Sequence, residues 1–179
     1  EYVSTVAHEI GEALATKPSY HTVVVRSTVL PGTVLEKFLP LLEEASGKTG
    51  GVEFGLCMNP EFLREGNAVK DFLEPDRVVI GADNEEVFEK VASLYRAMQG
   101  VEIFNTSIRT AEMIKYTANA FLAMRISFIN EMADVCEAVG ADIEMVAEGI
   151  GMDSRIGNKF LKTGPGFGGS CFPKDTLAL

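Results

Sequence analysis

Apolar and polar positions recur with two different periods along the first hundred residues, and the alternation lays out a series of short helices and strands. Val3, Val6, Ala7, Ile10 and Leu14 follow at three- and four-residue steps, the spacing of one helical face, until Pro18 stops the pattern. Residues 22–26 are a continuous β-branched run and read as a buried strand. Pro31-Gly32 turns the chain into a second helix with Val34, Leu35, Phe38, Leu41 and Leu42 on its apolar side. A loop at 46–51 leads to a second strand at 54–58, and an irregular stretch leads to a third at 77–81. Asn84 then caps a helix whose inner face carries Val87, Val91, Leu94 and Met98, before a fourth strand at 101–104. Strands separated by helices of this length predict βαβ units and a mostly parallel sheet, the α/β class.

The texture changes at Ser107. Neither glycine nor proline occurs between 101 and 139, so about thirty residues can run as one helix. Ile108, Met113 with Ile114, Thr117, Phe121, Met124, Phe128, Met132, Val135 and Val139 fall at helical spacing, and Gly140 supplies the stop. A helix far beyond the ~11-residue average reads as a spine between lobes or subunits. Asp142 caps a short helix reaching Glu148, and a glycine-rich loop with one terminal helix completes the chain.

Composition narrows the function. The 179 residues include 26 acidic and 16 basic side chains, a net charge of −10, which argues against nonspecific nucleic-acid binding while leaving room for a local anion site. The longest uncharged run, residues 163–173, is far short of the ~18 apolar residues of a membrane span. Three cysteines, widely spaced and without a CxxC pair, read as reduced thiols of a cytoplasmic protein, with no disulfide frame and no metal site. The chain opens without Met, directly in a helical pattern, and stops in the apolar run 176–179; it is expected to be a piece of a longer polypeptide.

Chemistry concentrates at four places. In Gly164-Pro-Gly-Phe-Gly-Gly-Ser-Cys171-Phe-Pro-Lys-Asp175, Pro173 suits the first position of a helix. Cys171 is then expected among free helix-start N–H groups and near Lys174, conditions that favour a thiolate. The glycines satisfy G-x-G-x-x-G as text but follow no strand, so they do not read as a dinucleotide fingerprint. Asn59-Pro-Glu61-Phe-Leu-Arg64-Glu65-Gly66 follows the second strand, where ligands gather in α/β sheets, and a helical turn there would set Glu61 and Glu65 on one face. On spacing alone that stretch reads first as a solvated helix start. Lys115 and Asn119, one turn apart among apolar neighbours, suit an oxyanion and a hydroxyl, although a lone helical lysine is usually solvated. Arg155, Lys159 and Lys162 form a basic stretch suited to a diphosphate or a subunit contact.

Together these blocks resemble the nucleotide-sugar dehydrogenases of the UDP-glucose/GDP-mannose dehydrogenase family. Segments 27–29, 59–66, 76–81, 115–121, 151–162 and 166–175 occur in family order and cover nearly the whole chain. Residues 155–162 and the short loop before Phe167 are more similar to the UDP-glucose branch than to the GDP-mannose branch. The resemblance implies the second half of a Rossmann-like NAD-binding domain at 1–105, then a long central helix and an all-α dimerisation region at 106–179. It implies NAD as cofactor, a nucleotide sugar as substrate, and a homodimer or higher homo-oligomer through the long helix, with no nucleic-acid or membrane partner.

The resemblance also implies roles. Cys171 attacks an aldehyde, Lys115 and Asn119 hold the oxyanion, Glu61 is the base for thioester hydrolysis, and Asp175 and Thr28 orient a water or the substrate hydroxyl. Substrate contacts fall to Glu61, Phe62, Leu63, Arg64 and Glu65, to Lys115 and Asn119, and to Lys162, Phe167 and Gly168, with Arg155 reaching from a partner subunit. Ser27, Thr28, Val29, Glu65, Cys171 and Lys174 are the cofactor contacts. The family's strand with G-x-G-x-x-G and its C-terminal domain have no counterpart in this sequence, so the chain alone is expected neither to bind NAD normally nor to turn over. Three alternatives stand beside this reading: another nucleotide sugar, a dimerisation module without activity, and a thiol acyl-transfer enzyme without NAD.

Overall fold

The computed structural model describes residues 2–98 and 100–178; Leu179, the end of the apolar C-terminal run, lies outside them. The elements are α1 (Tyr2–Ala15), β1 (His21–Val25), α2 (Leu39–Ser46), β2 (Phe54–Met58), α3 (Ala68–Leu73), β3 (Val78–Ala82), α4 (Glu85–Ser93), β4 (Ile103–Thr106), α5 (Ile108–Val139), α6 (Ile143–Gly151) and α7 (Cys171–Ala178). A π-helical turn, Val34–Phe38, runs directly into α2. The chain divides into two compact units, Glu1–Lys115 and Tyr116–Leu179, and the division falls inside α5.

In the first unit the strands lie in the order β1-β2-β3-β4. All five residues of β2 are buried, which accounts for the unbroken apolar run Phe54-Gly-Leu-Cys-Met58: a strand covered on both faces has no polar side to show. On one face Val23, Val25, Phe54, Leu56, Met58 and Val79 pack with Ala7 and Leu14 of α1 and Leu42 of α2. On the other, Cys57, Val78 and Ile80 pack with Val87, Val91 and Ala92 of α4 and with Tyr95.

The mostly parallel sheet holds with one reversal. β1 pairs parallel with β2 and β3 parallel with β4, but β2 and β3 are antiparallel, with Cys57 opposite Ala82 and Met58 opposite Gly81. A parallel return needs a crossover helix whose apolar stripe packs on the sheet. The connection here holds only α3, six residues that bury none of their side chains, and the chain re-enters from the near end. Helix α4 agrees with the sequence pattern at its start and differs from it at its end. Asn84 caps it as expected, accepting from the Val87 N–H at 2.9 Å. The helix ends at Ser93, however, so Leu94 is exposed and Tyr95 takes the buried position instead.

In the second unit, α5 continues to Val139 and closes at Gly140, whose φ of +75° lets the Ala141 N–H reach back to the Cys136 carbonyl. Ala123, Ile129 and Cys136 face inward, whereas Phe121, Met124, Phe128, Val135 and Val139, the stripe that marked this helix in the sequence, are exposed. Arg125 donates to the carbonyls of Ile156 and Gly157 at 2.7 and 2.8 Å, and Asn130 Oδ1 accepts from the Gly164 N–H at 3.0 Å. Two side chains of one helix thus fix both ends of residues 156–164. Asp142 caps α6 by accepting from the Glu144 and Met145 N–H groups. Among the described residues no helix is long and apolar enough to cross a membrane.

At Gly81, β3 comes close to the start of α5. A Cβ there would lie 2.7 Å from Ala111 Cβ, 2.7 Å from the Ser107 carbonyl oxygen and 2.8 Å from Ile108 Cα. Two of these atoms are backbone and have no rotamer to move. Gly81→Ala is expected to cost about 1–3 kcal/mol of stability, the usual range for overpacking, measured by urea unfolding; an unchanged midpoint would show that the helix start yields freely.

Candidate active site

Two strand ends position the predicted residues of the first unit. After β1, Ser27 is exposed, Thr28 is half-buried and Val29 belongs to the core, leaving only its backbone for a cofactor. Neither the Ser27 nor the Thr28 hydroxyl has a hydrogen-bond partner among the described residues. After β2, Asn59 is buried and bonded on all sides: its N–H donates to the Val25 carbonyl at 2.9 Å, its amide donates to the Val79 carbonyl at 2.8 Å, and its amide oxygen accepts from the Tyr95 hydroxyl. One residue, through its backbone N–H and its side chain, therefore links the ends of β1 and β2 to β3 and to Tyr95 just after α4, and the turn into Pro60-Glu61 starts from a fixed point.

Glu61 Oε1 lies 3.7 Å from Lys115 Nζ, while its other oxygen accepts from the Leu63 N–H at 2.6 Å. Lys115, only 5% exposed, also stands 5.2 Å from the centroid of the Phe62 ring, and Arg77 covers the same ring at 4.1 Å. The ammonium is thus held by a carboxylate at ion-pair distance and by the negative face of an aromatic ring. The pair is longer than a charge-assisted hydrogen bond, so Lys115 keeps donor capacity for a ligand.

The segment carrying Glu61 to Glu65 is irregular and then turns, not helical, so these two carboxylates do not share a helical face; Glu65 is exposed, as is Leu63. Asp71 organises the segment. It accepts from Arg64 Nε at 2.9 Å, from a second guanidinium nitrogen, from the Arg64 N–H at 2.9 Å and from Asn67 Nδ2 at 2.7 Å. Hydrogen bonds from Arg64 hold the Asp71 carboxyl well below the usual range. The Arg64 guanidinium is committed to this fork, leaving its backbone for a ligand.

In the second unit Asn119 Nδ2 donates to Asp175 Oδ2 at 2.6 Å, and the other oxygen of the fully buried Asp175 accepts from Lys174. That hydrogen bond raises the Lys174 pKa, with further support from the charges of Asp175, Tyr116 and Cys171. Cys171 is the first residue of α7 and is exposed, with Ser170 Oγ 3.8 Å from its sulfur. Pro173 is the third helical residue, not the first, because the helix begins at the cysteine itself. Phe167 and Phe172 meet edge to face at 6.4 Å, closing the glycine loop over its own helix, while Lys162 and Gly168 remain exposed. Arg155 stands apart from this cluster, exposed and paired with Asp153.

The sequence reading passed over Glu112, Asn59, Asp71, Arg125 and Asn130. Glu112 left a signal, a charge on the apolar side of the long helix three residues before Lys115. The others act through partners, backbone or side chain, that no spacing rule reveals.

Comparison with known proteins places both halves. The profile of the UDP-glucose/GDP-mannose dehydrogenase family, NAD binding domain, matches residues 1–99, and that of the family's central domain matches residues 109–179. The UDP-glucose 6-dehydrogenase AglM of Haloferax volcanii is 48% identical over 99% of this chain and 42% of its own length. TuaD of Bacillus subtilis, also a UDP-glucose 6-dehydrogenase, is 48% identical over 99% of this chain and 37% of its own length. A UDP-glucose dehydrogenase structure from Pyrobaculum islandicum superposes with a TM-score of 0.94 at 44% identity, over 99% of this chain and 40% of that one. A ternary complex of GDP-mannose dehydrogenase from Pseudomonas aeruginosa gives 0.84, also at 44% identity, over 99% and 41%. The chain therefore spans about two fifths of the relatives it matches.

The three thiols differ sharply in environment. Burial, and secondarily the charge of Asp83, pushes the Cys57 thiol up to about 12, and Cys136 is buried, while Cys171 is exposed. Of these three, Cys171 alone is expected to take up a maleimide in the native protein at pH 8, with Cys57 and Cys136 labelling only in denaturant; peptide mass spectrometry reads the order.

Proposed function

This chain belongs to the UDP-glucose/GDP-mannose dehydrogenase family, and on that footing we propose that it forms the NAD-side and central portions of an enzyme oxidising the C6 alcohol of UDP-glucose to the carboxylate. Residues 1–105 are the second half of the NAD-binding domain in this reading, and 106–179 the central dimerisation region. The observation that carries it is Lys115: a buried ammonium, restrained but not neutralised by Glu61 and Phe62, on the same helical face as Asn119. A structural lysine would be paired at hydrogen-bond distance or solvated. A buried one with spare donors suits an oxygen that gains negative charge.

When bound, NAD supplies the acceptor for the two hydrides that the oxidation of alcohol to carboxylate releases. The chain offers it the unpartnered hydroxyls of Ser27 and Thr28 at the carboxyl end of a parallel strand, the usual place for a nucleotide in such sheets. Val29 through its backbone, Glu65, Cys171 and Lys174 complete the proposed cofactor contacts. The chain holds no strand-linked G-x-G-x-x-G and by itself is inactive in this reading.

The remaining roles belong to its own side chains. Thr28 and Asp175 orient the substrate hydroxyl or a water. Cys171 Sγ adds to the C6 aldehyde to give a thiohemiacetal, whose oxygen Lys115 and Asn119 hold by hydrogen bonds. Loss of hydride leaves a thioester on the sulfur. Glu61 takes the proton from the water that cleaves it, releasing carboxylate and thiolate. The sugar nucleotide is held by residues 61–65, with Arg64 and Leu63 contributing backbone, by Lys162, Phe167 and Gly168, and by Arg155 of a second subunit. The exposed stripe of α5 supports that second copy, because a row of Phe121, Met124, Phe128 and Val135 in water favours association. Three unpaired thiols suit the cytoplasm.

The full-length protein is expected to form two NADH per UDP-glucose, followed by absorbance, with turnover on GDP-mannose alone overturning the choice of sugar. Cys171→Ala should lower carboxylate formation about a thousandfold or more. Glu61→Gln should leave a covalent sugar adduct on the protein, visible by intact mass.

The proposed assembly has its own check. Phe128→Asp is expected to shift the full-length protein toward monomer in sedimentation velocity. An unchanged assembly would place the interface elsewhere.

A further inference from the structure

Glu112 is fully buried on α5, and among the described residues no cation lies within ion-pair distance of it. Its carboxylate instead faces backbone: one oxygen accepts the Gly32 N–H at 2.6 Å and the other the Val34 N–H at 2.9 Å. These amides open the π-helical turn that leads into α2, and first-turn amides lack acceptors within their own helix. Val29 and Val34, which flank the turn, and Ile108 and Ala111 of the same helix belong to one buried apolar cluster. An apolar side chain of similar volume would fill that space without the cost of desolvating a charge. A carboxylate kept there does something packing alone does not require.

We propose that Glu112 is a positioning residue for the cofactor side of the site: from α5 it holds the turn at 29–34 and thereby fixes Ser27 and Thr28. The proposal rests on the dehydrogenase reading above. Gly32, at φ +93°, makes the turn that brings its N–H onto the carboxylate. Glu112 lies three residues before Lys115 on the same helix, so the hydroxyl-bearing turn is referenced to the rigid element that carries the oxyanion lysine. A second link, Arg109 to Glu36, joins the same two elements at the surface, where an ion pair contributes little.

The test uses the full-length protein and Glu112→Gln, which keeps the volume and one acceptor but presents an NH2 group to a backbone donor. Hydrogen exchange without ligand is expected to quicken at least tenfold in the peptide 27–38, with peptides covering β2 and β3 unchanged. The Kd for NAD by calorimetry should rise about tenfold, the size of one lost charge-assisted hydrogen bond, while the Kd for the nucleotide sugar stays within twofold. Arg109→Ala should leave all three unchanged. Leu42→Ala, a core truncation in α2, should lower Tm without separating the two Kd values. Unchanged exchange at 27–38 overturns the proposal. So does faster exchange with both Kd values unchanged or rising together, the signature of a cap with no bearing on the cofactor. If Glu112→Gln does not fold, Glu112→Asp, whose shorter side chain loses reach to at least one of the amides, is read by the same criteria. Failure of the wild-type protein to bind NAD sinks the dehydrogenase reading instead, and exchange then decides alone whether Glu112 holds the turn.

Discussion

A buried polar group must be answered within the protein, and α5 carries three along one stripe: Glu112, Lys115 and Asn119, at steps of three and four residues. Each is answered by a different segment. Glu112 takes the amides after β1, Lys115 takes Glu61 and the Phe62 ring after β2, and Asn119 takes the buried carboxylate of α7. The helix therefore does more than fill a core. In the first unit its buried polar residues fix the turn after β1 and the segment after β2.

The sheet repeats the principle with Asn59, which satisfies its own amide while closing the ends of three strands and Tyr95. Its bond to the Val79 carbonyl extends the short β2–β3 pairing beyond Met58 and Gly81, which shows why a two-residue antiparallel junction suffices. Charged side chains in each unit are likewise paired within the chain. Asp71 occupies Arg64, Asp153 occupies Arg155 and Asp175 occupies Lys174.

Periodicity carried most of the fold: the strand at 54–58, the caps at Asn84 and Asp142, the glycine stop at 140 and the uninterrupted long helix are all written in local spacing. What it missed depends on partners distant in sequence. Nothing in residues 59–77 announces that α3 will stay off the sheet and leave β3 running backward, because packing, not propensity, decides direction. The α5 stripe shows the reverse limit. Spacing identified Phe121, Met124 and Phe128 as one face but could not say whether that face meets this chain's interior. Of the residues singled out by type and spacing, Lys115 and Asn119 are buried, Glu61 is partly buried beside Lys115 and Cys171 is exposed. Asn59 and Asp71 drew no notice because the atoms they bond, the Val79 carbonyl, the Tyr95 hydroxyl and the Arg64 guanidinium, come to them only in the folded chain.

The contact at Gly81 bears on how such a chain can change over generations. A cavity between two side chains can drift by paired substitution, one growing as the other shrinks. Here shrinking Ala111 would relieve only one of three approaches, the remaining two being the backbone of Ser107 and Ile108. No exchange of side chains alone restores the room, so a Cβ at position 81 requires the start of the long helix to shift.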